Sequence, residues 1–246
     1  MIKAIKFSLF MICLLLVWEG LVWLLKVDPY TLPAPSAIAK SFVVDFPEYF
    51  PHLLPTIQLV LLGLFCSIIC GVLFAVILNL IPVLNDYIYP LLIMSQNIPV
   101  IVIAPLLVIW FGFGLLPKLI VITLICFFPI TVSLLEGFHE TDKDLKKYMQ
   151  MMGASRMELF TKLEWPNSMP FFFNGLKIAG TYSVMGAIIS EWLGSDKGLG
   201  KFMILAQRAF QVDQVFVAIV WIIIFALIIY IVIEAIKRFV LRWNHE

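Results

Sequence analysis

Long apolar runs broken by short polar interruptions fill most of this chain, and their lengths are the first constraint on its fold. An α-helix needs about 20 apolar residues to cross a bilayer. On that scale the pattern predicts six spans, over about 7–25, 56–81, 98–115, 118–138, 171–193 and 215–236. Residues 87–138 are almost continuously apolar but too long for one helix, and Pro90, Pro99, Pro105, Pro117 and Pro129 punctuate them. That stretch divides into a short helix near 87–96, the third span and the fourth, with a turn at 112–117. The proline-rich segment 26–55 reads as a loop with a short amphipathic piece, and a glycine-punctuated loop is expected from 194 to about 214. The fold class that follows is an all-α polytopic membrane protein, with one transmembrane domain over 1–246.

Composition narrows this further. Of 246 residues, 62% are hydrophobic and 13% charged. Soluble domains run near about 45–50% apolar and about 25% charged, so a single water-soluble domain is excluded, as are a disordered chain and a disulfide-stapled module. The net charge of +1 gives no reason to expect a nucleic-acid partner. Cys13, Cys66, Cys70 and Cys126 all lie in apolar runs, where a thiol behaves as a small hydrophobe. Lys3 and Lys6 before an apolar run resemble a secretory signal. The run continues past Trp18 with no small-residue cleavage site, so it reads as a retained span. Lys and Arg are biased toward the side that holds both termini and the 140–170 loop, which predicts that these face the cytoplasm. The charges singled out within or beside the spans are Glu19 and Glu191. Glu19 reads either as a group facing protein or as one snorkelling to the interface beside Trp18 and Trp23. No basic residue is read deep in a span, which argues against a dedicated anion site.

The 140–170 loop is the most polar part of the chain, with charges from Glu140 to Glu164. It is nevertheless too apolar for a solvated linker. Leu145, Tyr148, Met149 and Met152 recur at helical spacing with lysines on the opposite face. Gly153 interrupts, and a second helical stretch carries Met157, Phe160 and Leu163 before Pro166 and Pro170 end it. Such a helix–glycine turn–helix could seat its apolar stripe in a groove of another protein, or lie on the lipid surface. The pattern alone leaves both open.

Gly153-Ala154-Ser155-Arg156, then Phe160, Lys162 and Leu163-Glu164-Trp165-Pro166, resembles the "EAA" loop of binding-protein-dependent ABC importer permeases. Gly153 and Pro166 stand at the family's separation. Lys147-Tyr148-Met149 replace the Glu-Ala-Ala that names the motif, and Trp165 replaces a leucine. Leu32-Pro33-Ala34-Pro35-Ser36, the stretch from Pro99 through Pro105 to Trp110-Phe111-Gly112, and Glu191-Trp192-Leu193-Gly194 to Gly200 are similar to permeases of the nitrate/sulfonate/taurine group. The resemblance implies a type I (MetI-like) importer transmembrane domain of about six spans in the cytoplasmic (inner) membrane. It also implies cytoplasmic ATPase subunits, an extracytoplasmic binding protein and a second copy of the chain as partners. No cofactor would sit on this chain, because ATP and Mg would be held by the ATPase. The coupling residues so implied are Tyr148, Met149, Met152, Gly153, Ala154, Ser155, Arg156, Glu158, Phe160, Leu163 and Pro166. Among possible solutes, the segments 110–118, 126–129 and 175–179 look most like permeases for pyrimidine precursors of thiamine, with sulfonate, taurine, nitrate and riboflavin carriers similar in pattern.

Polar groups in spans mark candidate pathways. Ser95, Gln96 and Asn97 stand directly before Pro99, where a broken helix is expected; the trio lines a gate, or Asn97 caps a helix. Ser190 and Glu191, near the outer end of the fifth span, read as gate or docking groups or as an interfacial anchor. Gly198-Leu199-Gly200-Lys201 fails as a phosphate loop, since Ser195 and Phe202 stand where a glycine and a hydroxyl residue are needed. His52, His139 and His245 read as scattered, solvated groups, and no catalytic or metal-binding set is visible. Competing classes are a vitamin-type energy-coupled transporter subunit, a secondary carrier and an intramembrane enzyme. A secondary carrier should show internal repeats and ion-coupling charges, and none is evident.

Overall fold

The computed structural model describes residues 2–242, the side chains of residues 2–4 and 7 excepted; His245 lies outside them. The described chain forms α1 (Ile2–Leu24), α2 (Pro35–Val44), α3 (Phe46–Leu80), α4 (Pro82–Ser95), α5 (Val100–Phe111) and α6 (Leu115–His139). There follow α7 (Lys143–Met151), α8 (Arg156–Leu159), a π-turn (Phe160–Glu164), α9 (Trp165–Trp192), α10 (Leu199–Arg208) and α11 (Val212–Val240). Among the described residues, α3, α6 and α11 are long and apolar enough to cross a membrane; the bent pair α4–α5 makes a fourth if counted as one span.

The core is a layer of three helices, α3, α6 and α9, with α11 packed on α9. Small residues let the backbones approach. A Cβ added at Gly63 of α3 would come within 2.5 Å of Ile122 on α6, and one at Gly71 within 2.9 Å of Ile130. Gly175 of α9 lies against the Pro129 carbonyl and Ser133 of α6, leaving no room for any side chain. Pro129 thus serves the packing without ending α6. Cys126, in the same seam, is buried and donates from Sγ to the Ala179 carbonyl (3.2 Å).

The structure departs from the sequence pattern where proline was read as a stop. The segment 46–55 is helix, and α3 continues through Pro51 and Pro55 to reach 35 residues. Pro47, Pro51 and Pro55 repeat every fourth position, so each missing N–H points at a carbonyl on one face of the helix, and the rest of the ladder is intact. Pro166 and Pro170 do not end the loop's second helix either. From Arg156 to Trp192 the chain is one helical rod in which the wider π-turn precedes Pro166. The short helix expected near 87–96 is the longer α4, and the third span expected over 98–115 shrinks to α5, the two meeting at 99° across residues 96–99. At 12 residues, α5 is about 18 Å long and too short to cross a bilayer core of about 30 Å alone. The expected glycine-punctuated loop 194–214 contains α10.

Gly175→Val should be the most damaging single change in this core, costing about 1–3 kcal/mol or more because the facing atom is backbone and cannot move aside. Thermal unfolding of the detergent-solubilised protein should show a clear loss of stability, whereas Gly20→Ala, with nothing within 4 Å of the added Cβ, should behave as wild type.

Candidate functional site

The 140–170 segment folds as a helical hairpin whose joints are all explained by local chemistry. Asp142 caps α7, its Oδ1 accepting from the Asp144 and Leu145 amides at 2.8 and 3.1 Å. α7 ends at a glycine with φ +87°, where L-residues are strained. The Gly153 amide donates to the Gln150 carbonyl (2.9 Å) and the Ala154 amide to the Met149 carbonyl (3.0 Å), closing the helix end. Ser155 starts α8 with a capping box: its Oγ accepts from the Glu158 amide, and Glu158 Oε2 accepts from the Ser155 amide at 3.0 Å. Lys162 completes the cap at 3.0 Å from Glu158 Oε1. Hydrogen bonds from the Ser155 backbone, from Lys162 and from the Ser155 hydroxyl hold the Glu158 carboxyl down at about 2.

At the root of the hairpin stands Glu164, fully buried, in the π-turn. Arg156 Nη1 donates to both its oxygens at 2.7 Å, Lys146 Nζ pairs with Oε1, and Asn79 Nδ2 of α3 donates to Oε2 at 2.8 Å. Arg156 Nη2 also reaches the Asn79 carbonyl at 2.8 Å. Burial alone would raise this carboxyl, but Lys146, Arg156 and Asn79 more than offset it and hold it below the usual carboxylate range. Arg156 and Glu158 are therefore engaged inside the loop. Phe160 turns inward as well, against Phe138 and Trp165 at 5.8 and 5.9 Å, while Leu163 and Pro166 are half-buried. The hairpin presents outward an apolar group of Tyr148, Met157, Met151 (80% exposed) and Met152 (73% exposed), beside exposed Gly153 and with exposed Lys147 and Gln150 among them. Met149 and Ala154 are partly covered.

The opposite end of α9 carries the second buried glutamate. Glu191 Oε1 accepts from Thr56 Oγ1 of α3 at 2.7 Å, and Oε2 accepts from the Gly200 amide at 2.7 Å. The Leu199 amide donates to Thr56 Oγ1 (2.8 Å) and the Gly198 amide to His52 Nδ1 (3.0 Å). The Gly198–Lys201 stretch is thus the start of α10, and its free amides are met by groups of the same chain, with the Glu191 carboxyl accepting at the helix N-terminus. Gly198 has φ +122°, and a Cβ there would overlap the Glu191 carboxyl. His52, read as solvated, is a fixed partner of this turn. Ser190 is buried and bonds its own helix at the Ala187 carbonyl (2.8 Å).

The bend between α4 and α5 behaves differently. Asn97 Nδ2 caps the end of α4 at the Ile93 carbonyl (3.0 Å), and Ser95 Oγ donates to Leu92 (2.9 Å). Gln96 and Pro99 are exposed; the Gln96 backbone N–H donates to the Leu92 carbonyl (3.2 Å), and its side chain makes no hydrogen bond among the described residues. The loop residues and the residues at the C-terminal end of α9 are therefore two separate sites, about 40 Å apart along α9.

Sequence reasoning missed several of these partners. Thr56 and Asn79 are lone polar residues in apolar surroundings, the same signal that marked Glu19. Glu19 itself accepts from the Ser36 amide and hydroxyl at 3.0 and 2.7 Å and so caps α2. Lys177 of α9 and Glu234 of α11 were passed over although both lie inside expected spans; they pair at 3.0 Å, and Lys237 donates to Asn174 at 2.8 Å. A basic residue therefore does occur within the fifth span.

Residues 63–243 match the family described as binding-protein-dependent transport system inner membrane component. The chain is similar over nearly its whole length to the formylaminopyrimidine transport permease protein ThiX of Halalkalibacterium halodurans: 34% identity, covering 99% of this chain and 98% of the relative. It is 28% identical to the riboflavin transport system permease protein RibX of Chloroflexus aurantiacus, over 94% and 87% of the two chains. With the taurine transport system permease protein TauC of Escherichia coli it shares 26% identity, over 95% and 87%.

Two outcomes are expected. Thr56→Val, which strips the Glu191 carboxyl and the Leu199 amide of a buried partner, should cost about 1–3 kcal/mol and speed hydrogen exchange at Leu199 and Gly200, read by mass spectrometry alongside thermal unfolding. Glu158 has a lowered folded pKa, so its contribution is complete above its ordinary value of 4.5 and fades as the pH falls toward about 2. The Ser155 and Glu158 amides should accordingly keep their exchange protection at neutral pH and lose it across that acid window.

Proposed function

The chain belongs to the binding-protein-dependent transport system inner membrane components, and we propose that it forms one half of a homodimeric type I importer whose 140–170 hairpin docks on a cytoplasmic ATPase. Membership makes it a multi-pass cell-membrane permease subunit for small-solute import, not itself an enzyme. In the proposed complex six segments cross the bilayer, both termini face the cytoplasm, and an extracytoplasmic binding protein delivers the solute. ATP and Mg are held by the ATPase and none by this chain.

The observation that carries this reading is the hairpin's surface. Three methionines and a tyrosine project from a hairpin closed by two caps and a glycine turn and rooted in a buried ion network. Methionine adapts to an irregular groove, and the rigid root lets a push on the tip move the spans. Tyr148, Met149, Met152, Gly153, Ala154 and Ser155 form the docking tip. Arg156, Glu158, Phe160, Leu163 and Pro166 hold its shape. The α4–α5 bend lines the solute pathway, with Gln96 its free polar group and Ser95, Asn97 and Pro99 its frame. Ser190 and Glu191 fix the outer end of α9.

The solute we favour is a pyrimidine precursor of thiamine. The formylaminopyrimidine permease supports this choice through its identity and full-length coverage. Riboflavin and taurine permeases are similar at lower identity.

Gly153→Asp should abolish both co-purification of the ATPase and ATP-dependent uptake. Retention of both would overturn the docking assignment. Binding assays on the partner receptor should find aminopyrimidines bound more tightly than taurine or alkyl sulfonates. Tight binding of a sulfonate alone would overturn the solute assignment.

A further inference from the structure

Glu164 is the one acidic side chain of the 140–170 hairpin that is fully buried, and its four hydrogen bonds come from three separate elements. Lys146 belongs to α7, Arg156 to α8 and Asn79 to the cytoplasmic-side end of α3 in the proposed orientation. Two of these groups are parts of the hairpin and the third is not. The carboxylate therefore does more than close the hairpin: it fastens the hairpin to α3, a helix far away in sequence. Arg156 makes the same connection by a second route, through the Asn79 carbonyl. Covalently the hairpin continues into α6 through residues 140–142 and into α9 through a π-turn, which is a soft point in a helical rod. With the network intact, a push on the hairpin reaches α3 directly, together with α6 and α9. Without it, the push reaches α3 only indirectly, through the packing of those two helices against it.

We propose that Glu164 is a positioning residue for transport: it makes the coupling hairpin and α3 move as one body, so that ATP hydrolysis is converted into solute movement. This rests on the docking assignment made above. An ionic network suits the task better than apolar packing does. Partial loss leaves a buried charge short of partners, so the joint is held in one geometry or broken, with little between. The outer end of α9 repeats the device, Glu191 being held to α3 through Thr56. α3 and α9 are thereby pinned at both ends, and movement delivered at one end is carried to the other with little slack.

The test uses the complete complex of permease, ATPase and binding protein in proteoliposomes, and reads the ratio of solute imported to ATP hydrolysed. Glu164→Gln, which keeps the side-chain shape but removes its charge, should lower that ratio about five-fold or more while hydrolysis and ATPase association persist. Asn79→Ala, which cuts the bond to α3 but leaves both ion pairs in the hairpin, should lower it in the same direction. Adding Asn79→Ala to Glu164→Gln should cause little further loss, because both act on one joint. The Asn79 variant decides the matter if the Gln variant does not assemble. An unchanged ratio in an assembled Glu164→Gln complex overturns the proposal. So does loss of ATPase association, which would place Glu164 in the docking surface. Failure of the docking assignment itself would show separately, as a wild-type permease that does not bind the ATPase.

Discussion

Two buried carboxylates, one at each end of α9, are the constraint on which the rest of the structure depends. Glu164 and Glu191 are both almost wholly removed from solvent, and each binds a polar group of α3: Asn79 at one end, Thr56 at the other. A buried carboxylate is tolerated only when its lone pairs are filled, so each fixes several groups at once. Glu164 gathers the polar hairpin, and Glu191 gathers the first turn of α10. Between them, the helices meet through glycines and apolar side chains, which in lipid hold by packing rather than by exclusion from water. Close packing sets the distance of α3 and of α9 from α6, while the carboxylate clamps tie α3 and α9 to each other at their ends.

The hairpin is stiff for reasons that are all local. A glycine in the left-handed region turns the chain, a serine–glutamate capping box restarts the helix, and the Glu158–Lys162 pair lies one turn further on. These contacts engage Ser155, Glu158 and Lys162 and leave Met151, Met152 and Met157 facing outward. In the proposed docking, apolar groups on a stiff frame would transmit force with less dependence on surface charge, which salt screens.

Part of this was legible in the residues. The membrane class followed from the length of the apolar runs. The hairpin followed from helical spacing on either side of Gly153, and the family resemblance from Gly153 and Pro166. The prolines misled. Pro51, Pro55 and Pro170 lie within helices, where tertiary contacts hold the rest of the ladder against the missing donor. The α4–α5 bend was marked by Pro99, but its 99° angle was not, since a proline ends a helix without setting the direction of the next.

What the sequence by itself determined is the class of molecule, the location of its one polar hairpin and the kinship that explains it, because apolar run length and local caps depend on neighbours in the chain. Only the tertiary structure decided what the charged residues do. Arg156 and Glu158, read as contacts for a partner, also bond within the hairpin; Glu191, read as a gate or docking group or an interfacial anchor, accepts from the first turn of α10. The outcome turned on residues 135 and 85 positions away, Thr56 for Glu191 and Asn79 for Glu164, and no local pattern specifies which distant polar group will fill a buried lone pair.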